Sequence, residues 1–429
     1  MPTGDQATAP LAARGYRLGV TGTFYAEWDR RGSGARRSVG RARRLARALG
    51  LDAAGVPVLT VVGSKGKGTA ATYASACLAA AGCRVVTVTS PALREDRERI
   101  RVDGTAISAD VLARLGRRVR DATASLPERR SGEGYLSPSG LFTLAGVLYA
   151  RAAGADVIVL EAGMGGISDE VSLFPPDVLA ITEVFAEHIG VLGDSPAEIA
   201  KDKAGVVTAA TSAVISLPQR PAVTEAIAST VADRTGGRVK PEVIGTSGVP
   251  ADLLPTGHGR RNAELGCAAA DRLLDAIGCP RPPQERLNRV LSSVRLPGRL
   301  SWHHVAGTDT TLLVDSAIDR SGTAAALAEA YRRWDRIDHV LACLPDHKDV
   351  AGVAAELADL PVTYVRMPSY RHLRFTHAVP GHWTVVDDTE LSRSHLASLG
   401  ERILALGTVY FIGRLLDLAD ADTERLFDL

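Results

Sequence analysis

The sequence contains little lysine, few aromatic residues and almost no excess of charge of either sign. Only six of its 50 basic residues are lysine, which leaves 44 arginines, and 49 acidic residues reduce the net charge to +1. Such a balance provides no basic surface for nucleic acid. No apolar run is long enough to span a membrane, and the first 20 residues lack a signal-peptide core. The composition predicts a cytoplasmic protein without nucleic-acid or membrane partners, and 429 residues suffice for two or three domains.

The five cysteines lack the spacing of a metal site, and their odd number leaves one without a partner. Both features are typical of proteins from a reducing compartment. We therefore expect neither a disulfide framework nor a cysteine-bound metal.

A glycine-rich loop follows the apolar run at 57–62. The loop reads Gly63-Ser64-Lys65-Gly66-Lys67-Gly68-Thr69. A turn from strand to helix of this kind points backbone N–H groups and a helix N-terminus at an anion. We expect Lys67 to reach the β- and γ-phosphates of a nucleotide and Thr69 to place its hydroxyl on Mg²⁺. Gly68, which separates the lysine from the threonine, distinguishes this loop from the common GxxxxGK[ST] motif.

Four of the six lysines lie in two short segments, GSKGKG at 63–68 and KDK at 201–203. The chain uses arginine wherever a general surface cation suffices. A retained lysine therefore indicates a task that a guanidinium cannot perform, such as chemistry that requires a deprotonated amine. This bias favours functional roles for Lys67 and Lys203, whereas Lys201 is expected to be an exposed helix residue.

Strand-like and helical segments alternate along the first two thirds of the chain. This alternation predicts an α/β fold with a doubly wound parallel sheet, whose ligand edge would collect the loop at 63, Ser90, Glu161 and the segment 185–188. The predicted strands are 57–63, 84–89, 156–161, 178–184 and 212–217, and the predicted helices are 38–50, 67–82, 109–125, 138–153 and 194–205.

Proline- and glycine-rich segments near 279–300 predict a domain boundary near 297. We expect residues 1–37 to form a leader and flexible N-terminal segment, 38–296 a P-loop ATP-binding domain, and 297–429 a smaller α/β domain. The strands predicted beyond the boundary are 311–315, 338–343, 361–365, 382–386 and 408–412, and the helices are 321–334, 348–357 and 394–405.

Five segments together resemble the folylpolyglutamate synthase branch of the Mur-type amide ligases. They are GSKGKGT at 63–69, TSPALREDRERIRVDGTAIS at 89–108, LEAGMGGISDE at 160–170, ITEVFAEHIGVLGDSPAEIAKDKAGV at 181–206, and PGRL at 297–300 followed by VDSAID at 314–319. The resemblance covers roughly residues 38 to 418. It implies a Mur-ligase-like architecture, in which a P-loop ATPase domain precedes a smaller Rossmann-like ligase domain.

The resemblance also implies the chemistry and its residues. In this family a substrate carboxylate attacks the γ-phosphate of ATP, and an amine then displaces phosphate from the acyl phosphate to form an amide. By resemblance Ser90, Glu161 and His188 hold Mg²⁺ close to Thr69, and Lys203 is carbamylated and helps to hold a second Mg²⁺. Lys67 would neutralise the transferring phosphoryl group. Two alternatives stay open, since Glu161 could merely terminate a strand and His188 could be a structural histidine.

Three further residues match nucleotide contacts of the family. Asn262, four residues after His258, matches a residue that contacts adenine, although a helix N-cap is the alternative. Arg299 in PGRL would reach the phosphates, and Asp315 matches the aspartate that opens the family's Asp-Gly-Ala-His-Asn-Pro motif.

The sequence departs from the family where the substrates bind. Ile318 and Asp319 replace the family's histidine and asparagine, and Arg414 replaces the serine of a Gly-Ser pair, so all three are expected in the acceptor pocket. Other changes are Ala92, the segment SPSGL at 137–141, Ile167 and Ser168. Since buried polar groups fix specificity, these changes predict a ligase for a different acid and a different amine or amino acid.

Such a ligase would serve the biosynthesis of a specialised metabolite, as a monomer or small homo-oligomer. Two alternatives are a genuine folylpolyglutamate or dihydrofolate synthase and a nucleotide-binding protein without ligase activity.

Overall fold

The computed structural model describes residues 22–32, 34–129, 132–245, 248–257, 259–370 and 373–429. These residues form two compact units. The first contains Thr23–Arg295 together with Glu424–Leu429, and the second contains Leu296–Thr423. The last six residues of the chain therefore pack with the first unit.

The first unit is built on an eight-stranded sheet with the order β4-β3-β2-β5-β1-β6-β7-β8. All neighbouring strands are parallel except in the hairpin at one edge, where β3 is antiparallel to both β2 and β4. The strands are Val58–Val62 (β1), Val85–Val88 (β2), Ile100–Val102 (β3), Thr105–Ala106 (β4), Val157–Glu161 (β5), Val178–Ile181 (β6), Ala213–Ser216 (β7) and Glu242–Val243 (β8).

Nine helices belong to the described part of this unit. Four of them are preceded by a serine whose side chain accepts from the first turn, and three begin with proline, as expected for helix N-termini. The helices are Gly22–Asp29 (α1), Val39–Ala48 (α2), Lys67–Ala80 (α3), Ala109–Ala124 (α4), Pro138–Ala152 (α5), Pro196–Ala204 (α6), Pro221–Thr235 (α7), Gly259–Ile277 (α8) and Gln284–Ser292 (α9).

Helix α3 is buried along almost its whole length because it is built from small residues. Helix α8 crosses it so closely that a Cβ on Gly266 would lie 2.2 Å from the carbonyl oxygen of Ala70. This packing fixes the N-terminus of α3, and with it the glycine-rich loop, against the sheet.

The second unit has a six-stranded sheet with the order β13-β12-β11-β14-β10-β9, in which only β9 is antiparallel to its neighbour. Its core is a cluster of apolar residues that includes Leu313, Tyr364 and Leu404. The strands are Ser301–His304 (β9), Thr311–Asp315 (β10), His339–Cys343 (β11), Val362–Arg366 (β12), Thr384–Asp387 (β13) and Arg402–Gly407 (β14), and the helices are Arg320–Arg333 (α10), Val350–Glu356 (α11), Arg393–Leu399 (α12) and Val409–Leu418 (α13).

The predicted α/β class is confirmed, since both sheets are predominantly parallel and alternate with helices. One predicted strand is wrong. Residues 408–412 begin helix α13, whose N-cap is Thr408, and the strand of this region is β14 at Arg402–Gly407. No helix in the described ranges is long and apolar enough to cross a membrane.

Candidate functional site

The glycine-rich loop connects β1 to α3 and depends on two glycines with positive φ. Gly63 has φ 136°, and a Cβ there would lie 1.9 Å from Oγ1 of Thr182. Gly66, the N-cap of α3, has φ 82°. The free N-terminal N–H groups of α3 and this glycine backbone form a cradle that suits a phosphate.

Lys67 lies in the first turn of α3 and folds back over the loop. Its Nζ donates to the carbonyl oxygens of Gly63 at 3.2 Å and Ser64 at 3.3 Å. Lys65, by contrast, is exposed, and its Nζ lies 5.7 Å from the ring centroid of Phe185. The two loop lysines therefore lie in different environments.

Asn262 lies in the first turn of α8 and covers Gly66. A Cβ on Gly66 would lie 2.2 Å from Cγ of Asn262, so no other residue fits here without displacing the asparagine. The structure thus places Asn262 inside the helix and beside the phosphate loop, whereas the preceding His258 lies outside the described residues.

Ser90 follows β2, and Glu161 is the last residue of β5. Because these two strands are parallel neighbours, the two residues meet at the carboxyl ends of the strands. The backbone N–H of Ser90 donates to Oε2 of Glu161 at 2.9 Å. The same carboxylate lies against the start of α3, because a Cβ on Gly68 would be 3.6 Å from Oε2. Ser90 and Glu161 therefore lie beside the turn that carries the buried Thr69.

Lys203 is almost completely buried, with 1% of its surface exposed. Its Nζ donates to the carbonyl oxygen of Gly63 at 2.7 Å and to Oε1 of Glu187 at 2.9 Å. Burial lowers the pKa of this ammonium group, the Glu187 carboxylate opposes the shift, and Lys67 adds to it. The amine is thus closer to losing its proton than a surface lysine would be.

A tight turn after Glu161 packs directly on the backbone that carries Lys203. A Cβ on Gly166 would lie 2.4 Å from the carbonyl oxygen of Lys203, and Oδ1 of Asp202 accepts from the N–H of Gly166 at 2.7 Å. The turn is further held by Asp169, whose Oδ2 accepts from the N–H of Met164 at 2.9 Å. The two segments thus keep a fixed spacing.

His188 lies in the loop after β6, next to Glu187, with a positive φ of 52° and an exposed side chain. The beginning of this loop is tied to the phosphate loop, since the N–H of Ser64 donates to the carbonyl oxygen of Glu183 at 2.9 Å. The structure therefore brings the His188 segment to the same sheet edge as Lys203.

In the second unit, Arg299 and Asp315 lie together. The N–H of Leu300 donates to Oδ2 of Asp315 at 2.8 Å, and the guanidinium of Arg299 donates to the hydroxyl of Ser316. The PGRL turn is therefore fastened to the end of β10, and it leaves the Arg299 side chain exposed.

The three residues expected in the acceptor pocket have local structural partners. Asp319 is the N-cap of α10, and its Oδ1 accepts from the N–H of Gly322 at 2.9 Å. Ile318 packs against the core of the second unit. Arg414 donates from Nη2 to the carbonyl oxygen of Leu391 at 2.9 Å.

The described residues contain no group of three or more histidine, cysteine, aspartate or glutamate side chains that could hold a metal ion. The candidate ligands are instead a few oxygen donors, namely the carboxylate of Glu161 and the hydroxyls of Ser90 and Thr69. Mg²⁺ takes such oxygen ligands and usually binds through one or two carboxylates plus substrate phosphates. This set fits a magnesium ion that arrives with a nucleotide.

Two residues at this edge were assigned no role from the sequence, although one of them, Glu187, lies in the segment 185–188 predicted there. Glu187 is the ion-pair partner of Lys203. Because buried lysines are almost always paired, a buried Lys203 predicts a carboxylate close to it. Arg99 donates from Nη1 to Oγ of Ser90 at 3.0 Å. Arg99 lies in the segment 89–108, but that segment is so rich in charge that its arginines look solvated in the sequence, and nothing there distinguishes Arg99 from its neighbours.

Comparisons with known proteins find relatives over about three quarters of the chain. A probable bifunctional folylpolyglutamate synthase/dihydropteroate synthase from Haloferax volcanii is 33% identical over 344 residues, which cover 74% of this chain and 40% of the relative. The chain thus spans less than half the length of that relative. A dihydrofolate synthase/folylpolyglutamate synthase from Mycobacterium tuberculosis is 29% identical over 344 residues, which cover 72% of this chain and 69% of the relative.

Among solved structures, a complex of folylpolyglutamate synthase with AMPPCP and folate superposes with a TM-score of 0.72. The two sequences are 22% identical, and the match covers 93% of this chain and 99% of the chain in the complex. That likeness shows a shared fold. No protein-family model matches the chain. The chain is thus similar in sequence to folylpolyglutamate and dihydrofolate synthases over about three quarters of its length, and it shares the fold of a solved folylpolyglutamate synthase.

Proposed function

We propose that the protein is an ATP-dependent folylpolyglutamate or dihydrofolate synthase. It would join the carboxyl group of a pteroate- or folate-type acid to the amine of glutamate, with release of ADP and phosphate. The observation that carries the proposal is the convergence of Lys67 and Lys203 on Gly63, beside the Ser90–Glu161 pair, in a chain whose relatives carry these names.

The expectation of a different acid and a different amine is wrong. The relatives, at 33% and 29% identity, are named folylpolyglutamate or dihydrofolate synthases, and a solved complex of the same fold contains folate. The altered residues did not indicate a new substrate because each of them makes a local structural contact. Asp319 caps a helix, Ile318 packs on the core and Arg414 holds a backbone carbonyl, so their change does not require a new substrate.

The residues present fit ATP. The left-handed Gly66 allows the backbone N–H groups of the loop to face phosphate oxygens, and Lys67 supplies a cation within the same turn. We propose contacts from the loop residues 63–69 to the phosphates and from Asn262 toward the base. For Arg299 and Asp315, nucleotide contacts stay predictions from their match to the family motifs.

The oxygen set described above fits Mg²⁺. We propose that Glu161, Ser90 and Thr69 hold it, with His188 as a further ligand. The bound ion would draw charge away from the phosphate oxygens. In the first step an oxygen of the substrate carboxylate forms a bond to the γ-phosphorus as the bond to ADP breaks. In the second step the amine of glutamate attacks the acyl carbon, phosphate leaves, and the amine loses a proton.

The chain's own groups favour these steps in physical terms. The ammonium group of Lys67 lies over the loop, where it would neutralise charge on the transferring phosphoryl group. The helix N-terminus of α3 adds a fixed positive potential to the same place. Lys67 is held near the loop by its contacts with Gly63 and Ser64, and the N-terminus of α3 is held by the packing of α8.

We also propose that Lys203 carries a carbamate. Burial favours the neutral amine, which would attack carbon dioxide to give a carbamate and release a proton. The new carboxylate would repel Glu187, so the present ion pair must open as the carbamate forms. A carbamate carbon signal in nuclear magnetic resonance with ¹³C-bicarbonate, absent from Lys203→Ala, would test this.

The same proposal assigns residues 38–296 to an ATP-binding domain and 297–429 to a ligase domain, with small molecules as substrates. The test is a set of reactions that contain ATP, Mg²⁺, glutamate and either dihydropteroate or tetrahydrofolate. The expected products are the glutamyl conjugate and equimolar phosphate. Binding of AMPPCP without turnover of either acid would instead support a nucleotide-binding protein.

A further inference from the structure

We propose that Arg99 is a positioning residue that fixes the hydroxyl of Ser90 for a magnesium–nucleotide complex, with Asp96 and Tyr25 holding the arginine. The inference rests on the proposed function for the identity of the ligand. It gives a role to Asp96 and Arg99, which lie in the segment 89–108 but were assigned none from the sequence, and to Tyr25, which lies outside the motifs.

Arg99 holds the start of the loop after β2 in two ways. Its carbonyl oxygen accepts from the N–H of Thr89 at 2.9 Å, which continues the pairing between β2 and β3. Its guanidinium donates from Nη1 to Oγ of Ser90, the residue after Thr89, at 3.0 Å. A change of the side chain alone therefore removes the second contact and keeps the first.

The guanidinium is itself locked from several sides. Its Nε donates to Oδ1 of Asp96 at 3.3 Å, and its Nη2 donates to the hydroxyl of Tyr25 at 3.3 Å. The Tyr25 hydroxyl in turn donates to Oδ1 of Asp96 at 2.7 Å. The ring of Phe142 lies 4.8 Å from the guanidinium carbon, which adds a cation–π contact.

This arrangement leaves Ser90 useful to a ligand. A serine hydroxyl has two acceptor lone pairs and one proton to donate, and Arg99 occupies only one lone pair. The backbone N–H of Ser90 is already directed at Glu161, so both ends of the residue are fixed. The positive charge of Arg99 is balanced by Asp96, so it does not add a net charge that would repel a nearby cation.

Partners of this kind typically tune metal affinity without touching the metal. Lysine at position 99 would keep the charge, but its single nitrogen could not replace the three separate guanidinium nitrogens that contact Asp96, Ser90 and Tyr25. We expect Arg99→Lys to raise the Mg²⁺ concentration for half-maximal binding of AMPPCP about 10- to 100-fold. Binding of AMPPCP without Mg²⁺ should stay within about twofold of the unmodified protein, because the phosphate loop is untouched.

The decisive experiment is a double-mutant cycle with Ser90→Ala, measured by calorimetric titration of AMPPCP at a series of Mg²⁺ concentrations. If Arg99 acts through Ser90, Arg99→Lys adds no further Mg²⁺ dependence in the Ser90→Ala background. Effects that multiply, or an equal loss of binding with and without Mg²⁺, would overturn the proposal and leave Arg99 a packing residue.

Two variants protect the test. Arg101→Lys changes another buried arginine of the same hairpin, which contacts the carbonyl oxygens of Gly104 and Glu424, and should leave the Mg²⁺ dependence unchanged. If Arg99→Lys does not fold, Tyr25→Phe removes a single hydroxyl, and a Mg²⁺ requirement raised about two- to fivefold is expected. No change in Tyr25→Phe would then count against the proposal.

The readout separates this inference from the proposed function. Coupling between positions 90 and 99 without turnover of folate-type acids would sustain the inference and refute the function. Turnover of those acids without such coupling would do the reverse.

Discussion

Lys67 and Lys203 donate to the same acceptor, the carbonyl oxygen of Gly63, from the first turn of α3 and the last turn of α6. Two ammonium groups thus converge on the phosphate loop, and their repulsion contributes to the lowered pKa of Lys203. Glu187 compensates part of that charge. The loop is therefore coupled to α6 through one backbone atom.

Replacement of Lys203 by arginine should abolish most activity although it keeps a positive charge. Arginine is too large for a side chain that is 1% exposed, and it cannot form a carbamate. We expect the rate of phosphate release to fall at least about 100-fold, as is common when an electrostatic group of a transition state is lost.

Lys201→Arg is the matched control for that substitution, because Lys201 lies in the same helix and is exposed. Its rate should stay within about twofold of the unmodified enzyme, as for surface substitutions in general. Equal activity of both arginine variants would contradict a special role for Lys203.

Replacement of Gly66 by alanine should weaken nucleotide binding at least about 10-fold. The new methyl group would lie 2.2 Å from Asn262 and would strain a backbone with φ 82°, so the loop must shift. Titration with AMPPCP measures the effect directly.

Gly82→Ala is the control for Gly66→Ala, because it strains a backbone with positive φ without creating a steric clash. Gly82 also has a positive φ, 94°, but open space surrounds its Cα, and it follows the far end of α3, about 21 Å from the loop. This variant should lose about 1 kcal/mol of stability and keep its nucleotide affinity. Equal loss of affinity in both variants would refute the proposed geometry of the loop.

The buried carboxyl group of Glu170 should make the free energy of unfolding depend on pH. Burial raises its pKa from 4.5 to about 7, the neighbouring Asp169 adds to the shift and Arg37 opposes it. Because the folded state binds the proton more tightly, the associated stability is complete below pH 4.5 and is lost as the pH rises through about 7. Each unit of pKa shift corresponds to about 1.4 kcal/mol.

Glu170→Gln removes this titration, so the unmodified protein should lose stability relative to the variant between pH 4.5 and 7. Thermal unfolding at a series of pH values provides the comparison. A stability difference that stays constant across this range would show that Glu170 does not gain a proton on folding.

Asp319 is expected to contribute to stability as a helix cap. Alanine at this position should cost about 1 kcal/mol, because the N–H of Gly322 loses its acceptor, whereas asparagine caps equally well. Unfolding midpoints of the two variants distinguish the cases. Equal destabilisation by alanine and asparagine would show that the carboxylate charge, and not the cap, is what matters.

Much of the fold could be predicted from the sequence, because the buried parallel strands are short runs of β-branched residues bounded by turns. The strand predicted at 408–412 was wrong for an identifiable reason. Its apolar residues Phe411 and Ile412 form the buried face of α13 together with Leu415 and Leu416, and a short apolar run does not distinguish the two structures.

The candidate site was predictable only in part. Ser90 and Glu161 meet because they lie at the same ends of neighbouring parallel strands, which sequence order and topology suffice to predict. The contact of Arg99 with Tyr25 could not be derived, because it joins segments whose proximity depends on tertiary packing. A carboxylate beside Lys203 could have been expected, but not that Glu187 supplies it. Charged residues that satisfy each other in the interior look like surface residues in a sequence.

Product analysis of a single reaction shows whether the protein joins glutamate to a folate-type acid. The purified protein is incubated with ATP, Mg²⁺, glutamate and either dihydropteroate or tetrahydrofolate, and nucleotides and conjugates are separated by chromatography. We expect a glutamyl conjugate with equimolar ADP and phosphate, strictly dependent on glutamate. Formation of AMP and pyrophosphate, or no conjugate with either acid, would contradict it.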